Sequence, residues 1–286
     1  MQISIQPQVN IYNSSSNNHL VNFSANPKSP KLKFSKNDFF VNIKGYGKNN
    51  DWASVIQKTA DKAAALMALN KSSDEVLKEI TRGVKNANGF CKDEQIRRHT
   101  GILRTKRKGY GKTGSWKNIE LVTPVQNKYI AYEAKLRDTA IHPVKSPFKD
   151  ISTAKIETID RIDYDMRIVH PSGDYVNNAL DRVKSEYSNL KKNFISHPDN
   201  ITDKSLPEIN SAIAEIRWIL AHSMPWERGS DSISNVFTRS LYKSMGIKSY
   251  PLKKGISLDL EAFCTPLNEY KKNFAKYFEE KPQIVE

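Results

Sequence analysis

The chain has few cysteines and no long apolar run, and both shortages narrow the class of protein. Two cysteines, Cys91 and Cys264, in 286 residues are too few for a disulfide framework or a cysteine-rich metal site. No stretch reaches the roughly 18 consecutive apolar residues that a membrane-spanning helix needs. Gln2 stands where N-myristoylation requires glycine, and the first residues lack the pattern of a Sec-type signal peptide. We therefore expect a protein that acts in a reducing compartment without either kind of membrane anchor.

Metal-binding and phosphate-loop motifs are also lacking. The chain has six histidines, and no pair has the i, i+4 spacing of a zinc-binding helix, so we predict no bound metal. Residues 109–113 (GYGKT) resemble the end of a P-loop, but Lys106 occupies the position of the first glycine that the Walker pattern requires. We therefore interpret these residues as part of a basic loop.

Charge is unevenly distributed along the chain, whose formal net charge is +14. The first 27 residues carry no Lys, Arg, Asp or Glu, whereas residues 28–48 have a net charge of +5 and residues 92–118 have a net charge of +7. Because the basic charge is confined to two segments, a nucleic-acid-binding function is disfavoured. We expect residues 92–118, including Arg104, to form an exposed basic loop that contacts an anionic membrane or an acidic partner.

Composition divides the chain into a leader and a body. Residues 1–36 are rich in Ser, Asn and Gln and have too little apolar surface to offset the entropy cost of ordering, so we predict a disordered leader. The composition resembles a type III secretion signal, although an ordinary flexible terminus fits it equally well. Residues 37–286 are expected to form a single domain, mainly α-helical with a few short strands. Apolar residues at helical spacing predict helices over residues 51–69, 127–138, 175–194, 205–223 and 266–279.

Three details of this body remain to be tested. Asp51 is predicted to cap the first helix, and Ser72 or Ser73 is predicted to cap a helix that follows it. Residues 86–118 predict a loop or a loose hairpin. Residues 154–169 alternate imperfectly between apolar and polar and fit either a helix or a strand.

The most informative segment is residues 213–263. Two amphipathic helical patterns flank a turn, Met224-Pro225-Trp226-Glu227-Arg228-Gly229-Ser230. Pro225 disfavours helix at the preceding residue, and Gly229-Ser230 offers a flexible residue followed by an N-cap. Arg228 is thus expected beside a helix N-terminus, where free N–H groups and a partial positive charge favour a phosphate or a carboxylate. The pattern also fits a plain helix corner with a solvated arginine.

This segment resembles the C-terminal signature of the AvrB family, bacterial effectors delivered by type III secretion. Met245 stands where the family often has His, and the chain between Arg182 and Trp218 is shorter than in the family, which leaves the target and the nucleotide open. The resemblance covers roughly residues 119–280. The residues that carry it are Leu121-Val122-Thr123-Pro124, Tyr129, Asp181-Arg182-Val183, Trp218, Met224-Pro225, Arg228-Gly229-Ser230, Gly246-Ile247 and Asp259-Leu260-Glu261-Ala262.

The resemblance implies a bilobal helical fold related to Fic/Doc, with a nucleotide-binding cleft between the lobes. The implied activity is the transfer of a deoxyhexose from a UDP- or dTDP-sugar to hydroxyl groups of a host protein in the host cytosol. We expect a monomer, and the resemblance leaves any need for Mg²⁺ open. The implied nucleotide-binding residues are Thr123, Tyr129, Arg228, Gly229 and Ser230, and the implied catalytic residues are Arg228 and Asp259.

Two other functions remain open. Residues 170–174 (HPSGD) are faintly similar to the Fic motif His-Pro-Phe-x-x-Gly-Asn-Gly-Arg, but the Phe and the Gly-Asn-Gly-Arg run are missing. This disfavours AMP transfer by the Fic route, and we interpret His170 as a loop residue. A nucleotidyl (AMP or UMP) transferase and a non-catalytic adaptor that binds a host peptide are the alternatives. Asp259 has helix capping as its alternative role.

Overall fold

The computed structural model describes residues 32–43, 48–104, 121–125, 131–159 and 165–285. Within this part the chain is mainly helical with few short strands, which confirms the predicted class. The helices are α1 (Asn50–Ala68), α2 (Ser73–Asn88), α3 (Glu94–His99), α4 (Glu133–Ile141), α5 (Gly173–Leu190), α6 (Leu206–Ser223), α7 (Ser230–Ser244), α8 (Leu258–Cys264) and α9 (Leu267–Asn273). The strands are β1 (Leu121–Pro124), β2 (Lys155–Thr158), β3 (Met166–His170), β4 (Ile247–Lys248) and β5 (Gln283–Ile284).

The strands form two small antiparallel sheets. In the first, β3 lies between β1 and β2, so that Ile168 is opposite Thr123 on one side and Ile156 on the other. In the second, β4 pairs with β5 near the C-terminus. Residues 154–169, which fit either helix or strand in the sequence, thus contribute β2 and β3 of the first sheet.

The middle of the fold is occupied by α6, which packs against α5, α7, α8 and α9. All residues of α6 from Ile213 to its end are buried, including the charged side chains of Glu215 and Arg217. A helix that is buried on every side needs partners for its polar groups. The indole N–H of Trp218 therefore donates to the carbonyl of Thr265 at 2.9 Å.

The first two helices pack closely against each other and against α7. A Cβ atom at Gly83 of α2 would lie 2.2 Å from Oγ1 of Thr59 on α1, so only glycine allows this approach. Ser72 caps α2 in a capping box with Glu75, as predicted. The cap of α1 is Asn49, whose Oδ1 accepts from two backbone N–H groups at 3.0 Å, so the predicted cap at Asp51 lies two residues too far along the chain.

Residues 32–43 pack onto this body. A short 3-10 helix (Lys36–Phe39) begins with a capping box formed by Ser35 and Asp38, and it contacts α1 and α7. Phe34 and Phe39 are both buried, with their rings 5.3 Å apart in an edge-to-face arrangement. Residues 32–36, which composition assigned to the leader, thus belong to the packed part, and residues 1–31 lie outside the described residues.

Other boundaries also differ from the prediction. The short helix α3, capped by Asp93, lies inside the segment predicted as a loop. Helix α4 begins at Glu133, whereas the predicted helix began at residue 127, and residues 126–130 lie outside the described part. The last predicted helix is divided into α9 and a 3-10 helix (Phe274–Tyr277). None of the described helices is long and apolar enough to cross a membrane.

We expect Phe39→Ala to lower the free energy of unfolding by about 3–5 kcal/mol, because it opens a cavity in a core that residues 32–43 help to form. Urea denaturation followed by circular dichroism measures this change. Phe90→Ala is the matched control, since Phe90 is 50% exposed, and it should change stability by less than about 1 kcal/mol. Equal losses in both variants would contradict the packing of this segment.

Candidate functional site

The candidate site is built around the turn between α6 and α7. Met224 ends α6 in the left-handed conformation (φ 40°, ψ 67°), which commonly closes a helix but which residues other than glycine seldom adopt. Trp226 is buried and anchors the turn, whereas Arg228 is exposed. Helix α7 begins two residues after Arg228, at Ser230. The arginine thus lies in solvent beside the N-terminal end of a 15-residue helix, as the sequence predicted.

Residues 100–104 hold the turn in place through backbone hydrogen bonds. The N–H of Gly101 donates to the carbonyl of Arg228 at 3.2 Å, and the N–H of Glu227 donates to the carbonyl of Ile102 at 3.0 Å. The N–H of Arg104 donates to the carbonyl of Pro225 at 3.0 Å. Arg228 is therefore presented on a backbone that is fixed on both sides of it.

Arg104 is buried at the end of α6, and its predicted exposure was wrong. Its side chain is 1% exposed, and Nε and one terminal nitrogen donate to the carbonyls of Met224 and Ser223 at 2.9 and 2.6 Å. These are orphan carbonyls at a helix C-terminus, for which a cation is a suitable partner. Burial lowers the pKa of Arg104 to about 10. Residues 105–118 of the predicted basic loop lie outside the described residues.

Gly229 and Ser230 shape the turn. Gly229 has φ 84°, and a Cβ atom there would lie 3.0 Å from the methyl group of Thr100. The Ser230 hydroxyl accepts from the N–H of Trp226 at 3.0 Å and donates to its carbonyl at 2.9 Å. Gly229 occupies the N-cap position, so the predicted cap at Ser230 lies one residue too far along the chain. Ser230 is buried and its hydroxyl group is already engaged with Trp226, so it shapes the turn from inside.

Asp259 lies in the first turn of α8, where it is buried against Arg217 of α6. A terminal nitrogen of Arg217 lies 2.7 Å from Oδ1 of Asp259, although no N–H points at this oxygen with hydrogen-bond geometry. The same guanidinium group contacts Asp231 in the first turn of α7. Burial raises the pKa of Asp259 to about 8, and Arg217 opposes this shift. The carboxyl group of Asp259 is thus connected to the N-terminal end of α7 through Arg217.

Thr123 lies on β1, next to the last residue of β3. Its hydroxyl lies 3.2 Å from Nε2 of His170, the last residue of β3. His170 is buried in the sheet, so its interpretation as a loop residue was wrong. Burial lowers the pKa of His170 to about 3, and the nearby Arg104 acts in the same direction. Thr123 therefore lies on a strand of the three-stranded sheet, next to a buried histidine whose pKa the charge of Arg104 influences.

Two further features were missed in the sequence. Nδ1 of His99 and Oε2 of Glu227 lie 2.8 Å apart, which joins α3 to the residue before Arg228. These residues are 128 positions apart, so no local pattern could reveal the pair. A cleft of about 590 Å³ also opens beside Trp226 between α2 and α5, and Arg228, Thr123 and Asp259 do not line it.

The remaining predicted residue, Tyr129, lies outside the described residues, as does the GYGKT segment. Among the described residues, no group of three or more His, Cys, Asp or Glu side chains is arranged to hold a metal ion. The candidate site therefore consists of Arg228, the N-terminal end of α7, Thr123 and the Arg217–Asp231–Asp259 cluster. Chemically, it combines an exposed cation at a helix N-terminus with a buried carboxyl group of raised pKa.

Comparison with known protein families gives a match that includes the turn between α6 and α7. The sequence profile of the family described as "Avirulence protein" (AvrB_AvrC) matches residues 103–281, which is more than half of the chain. The chain belongs to the AvrB/AvrC avirulence protein family. The matched residues include Thr123, Arg228 and Asp259. They begin after the first three helices, α1, α2 and α3. No curated protein matches the chain.

We expect acid to destabilise this AvrB/AvrC protein partly through His170 and His222. Both are buried, and burial lowers the pKa of each to about 3. Below about pH 6.5 each imidazole is therefore protonated in the unfolded chain but stays neutral in the folded chain. Each histidine should therefore remove about 1 kcal/mol of stability between pH 7 and pH 5.5. In His222→Gln this pH-dependent loss should be smaller than in the wild type by the same amount.

The measurement is urea denaturation of wild type and variant at both pH values. Asp259 acts in the opposite direction, because its raised pKa favours the folded state as the pH falls towards 4. This effect is the same in both proteins, so it cancels when the loss of stability in the variant is subtracted from that in the wild type. His142→Gln is the control, because His142 is exposed, and it should leave the loss unchanged. If His222→Gln also leaves it unchanged, the assignment of a buried neutral imidazole is wrong.

Proposed function

We propose that this effector binds a nucleotide sugar beside Arg228 and transfers a deoxyhexose to hydroxyl groups of a host protein. The host cytosol is the proposed place of action, after type III secretion by the bacterium. The observation that carries the proposal is the exposed Arg228 side chain, held on a fixed turn at the head of α7. The proposed fold is the bilobal one related to Fic/Doc, with the sugar nucleotide between the lobes and no second copy required.

The physical argument starts from the charge of a sugar nucleotide. A diphosphate carries negative charge on several oxygens, and a guanidinium group can donate two parallel hydrogen bonds to it. The free N–H groups and partial positive charge of a helix N-terminus add to this attraction. Asp231 in the first turn of α7 would oppose it, but Arg217 contacts this carboxylate and offsets its charge. The corner can therefore hold an anion despite the nearby acidic residue.

The proposed reaction is a substitution at the anomeric carbon. The oxygen of a host serine or threonine forms a bond to this carbon, and the bond from the carbon to the diphosphate oxygen breaks. The electron pair of the broken bond leaves with the nucleoside diphosphate, whose developing charge Arg228 and the end of α7 stabilise. Asp259 accepts the proton of the hydroxyl group, since a carboxylate of raised pKa is a stronger base.

Thr123 and Tyr129 are proposed to line the nucleotide pocket next to this corner. The support for Thr123 is its position on β1, where its hydroxyl group lies 3.2 Å from Nε2 of His170. Residues 92–118 are proposed to contact the target, an acidic partner or an anionic membrane. Whether Mg²⁺ accompanies the diphosphate is left to the binding experiment below.

A non-catalytic adaptor is the second candidate, and the burial of Asp259 favours it. A carboxyl group that is 7% exposed and close to a buried arginine is also what a structural ion pair looks like. In that case Arg228 would bind a carboxylate or phosphate of a host peptide, and no transfer would occur. A nucleotidyl transferase is a third candidate, which the products of the reaction distinguish.

We expect Arg228→Ala to abolish the thermal stabilisation of the protein by UDP- or dTDP-sugars. At a ligand concentration of 100 times Kd, binding adds about 2.7 kcal/mol, which is roughly 5–10 °C in Tm for a chain of this size. The apo Tm should stay within about 2 °C of the wild type, because the side chain is exposed. Differential scanning fluorimetry with and without Mg²⁺ measures both values.

Arg98→Ala is the matched control, because this arginine side chain is 68% exposed and its ion pair with Glu94 is on the surface. It should keep the full ligand-induced shift. Equal shifts in wild type and Arg228→Ala would remove Arg228 from the nucleotide site.

Asp259→Asn separates the enzyme from the adaptor. We expect the variant to fold and to bind the nucleotide, since the site already tolerates a neutral carboxyl group, but to lose transfer to the host protein. In the wild type, kcat/KM should rise as the pH increases through about 8, because the base must be ionised. Intact-mass analysis of host lysate proteins after incubation with nucleotide sugars measures the transfer. An active Asp259→Asn variant, or a wild type that modifies nothing, favours the adaptor.

A further inference from the structure

The C-terminal region separates its charges in space. Residues 266–286 contain four lysines and four glutamates, so this part of the sequence is neutral. In the structure all four lysines line one cleft, whereas none of the glutamates at positions 269, 279 and 280 does. The only carboxylate among the described lining residues is Asp203. We call this feature the lysine cleft, defined by Lys271, Lys272, Lys276 and Lys281.

The lysine cleft lies between the start of α6 and the region formed by α9 and the 3-10 helix after it. It measures about 580 Å³, within the range of small-molecule sites. Its lining includes apolar surface from Leu206, Pro207, Ala275 and Pro282. The cleft can therefore accommodate the carbon skeleton of an organic molecule as well as anionic groups.

Three of the four ammonium groups have no carboxylate partner among the described residues. Lys271 has a structural role, because its Nζ lies 2.8 Å from Oε2 of the buried Glu215. Lys276 donates to the neutral side chain of Asn273 at 3.1 Å. Lys272 and Lys281 are exposed and form no ion pair in the described part of the chain. The cleft thus keeps a surplus of positive charge that the fold itself does not neutralise.

Asn210 adds a directed hydrogen-bond donor to the same cleft. The hydroxyl group of the fully buried Tyr242 donates to Oδ1 of Asn210 at 2.6 Å. Because this contact occupies the carbonyl end of the amide, the NH₂ end remains to donate to a ligand. The side chains of Ser211 and Asn268 also line the cleft. Donors therefore outnumber acceptors, which suits a ligand rich in oxygen acceptors.

We propose that the lysine cleft binds an organic polyphosphate. Lysines act as separate point charges rather than planar forks, so several of them suit phosphates that point in different directions from one small skeleton. The site is distinct from the Arg228 corner, since the two lie at opposite ends of α6. From Ser211 to the end of that helix is roughly 18 Å, at about 1.5 Å per residue. The proposal therefore does not depend on the transferase activity.

The test is isothermal titration calorimetry with inositol hexakisphosphate, on full-length protein. We expect the Lys272→Gln/Lys281→Gln double variant to bind at least tenfold more weakly, with Lys271 left in place to hold Glu215. The matched control is Lys253→Gln/Lys254→Gln, which removes the same charge from exposed positions outside the cleft and should change Kd less than twofold. Arg228→Ala should keep the wild-type affinity.

Phosphatidylcholine vesicles with 5% phosphatidylinositol bisphosphate, or with phosphatidylserine at equal charge, distinguish the source of the phosphates. Co-flotation with the phosphoinositide vesicles alone, lost in the cleft variant, would support a lipid headgroup as the ligand. Binding of the soluble polyphosphate without flotation would support a free metabolite. Absence of binding in both assays, or equal weakening by the cleft and control variants, would overturn the proposal.

Discussion

The guanidinium group of Arg104 at the end of α6 is the interaction on which the candidate site depends. It donates to the carbonyls of Ser223 and Met224, two acceptors that the helix itself leaves without partners. With these carbonyls satisfied, the chain can leave the helix in a buried place and turn sharply through Met224 and Pro225. The backbone bonds of residues 100–104 to the same turn then place Arg228 in solvent at the head of α7. A charge in the interior thus positions a charge at the surface.

The parts of the fold that were predictable are those set by local repeats. Helix α6 follows from apolar residues at helical spacing, and its end follows from the proline after Met224. Arg104 could not be assigned in this way, because it stands in a run of basic residues whose ordinary place is solvent. Its two acceptors lie 119 and 120 residues further along the chain. Tertiary contacts decide which residue of a charged run is buried, and composition does not predict these contacts.

The candidate site shows the same division. The turn and its exposed arginine were predictable because Pro, Gly and Ser have strong local preferences, and the family match agrees with them. The neighbours of the predicted residues were not. Asp259 was predicted from the family resemblance. Its contact with Arg217 was not, because an arginine in an amphipathic helix pattern is ordinarily exposed. The lysine cleft could not be predicted for another reason, since its lysines are mixed with equally many glutamates in residues 266–286 and only the folded chain separates the two charges.

The family match begins at residue 103, but the structure does not divide there. One amide, that of Asn88, joins three elements: it accepts from the indole N–H of Trp52 on α1 and donates to Thr100 beside the Arg228 turn, each at 2.8 Å. The hydroxyl of Ser240 on α7 likewise donates to the carbonyl of Ala60 on α1. The part of the chain that matches the family is therefore smaller than the part that holds the Arg228 turn in place. In this chain, a substitution in α1 or α2 can therefore shift the position of Arg228 without changing any residue of the turn itself.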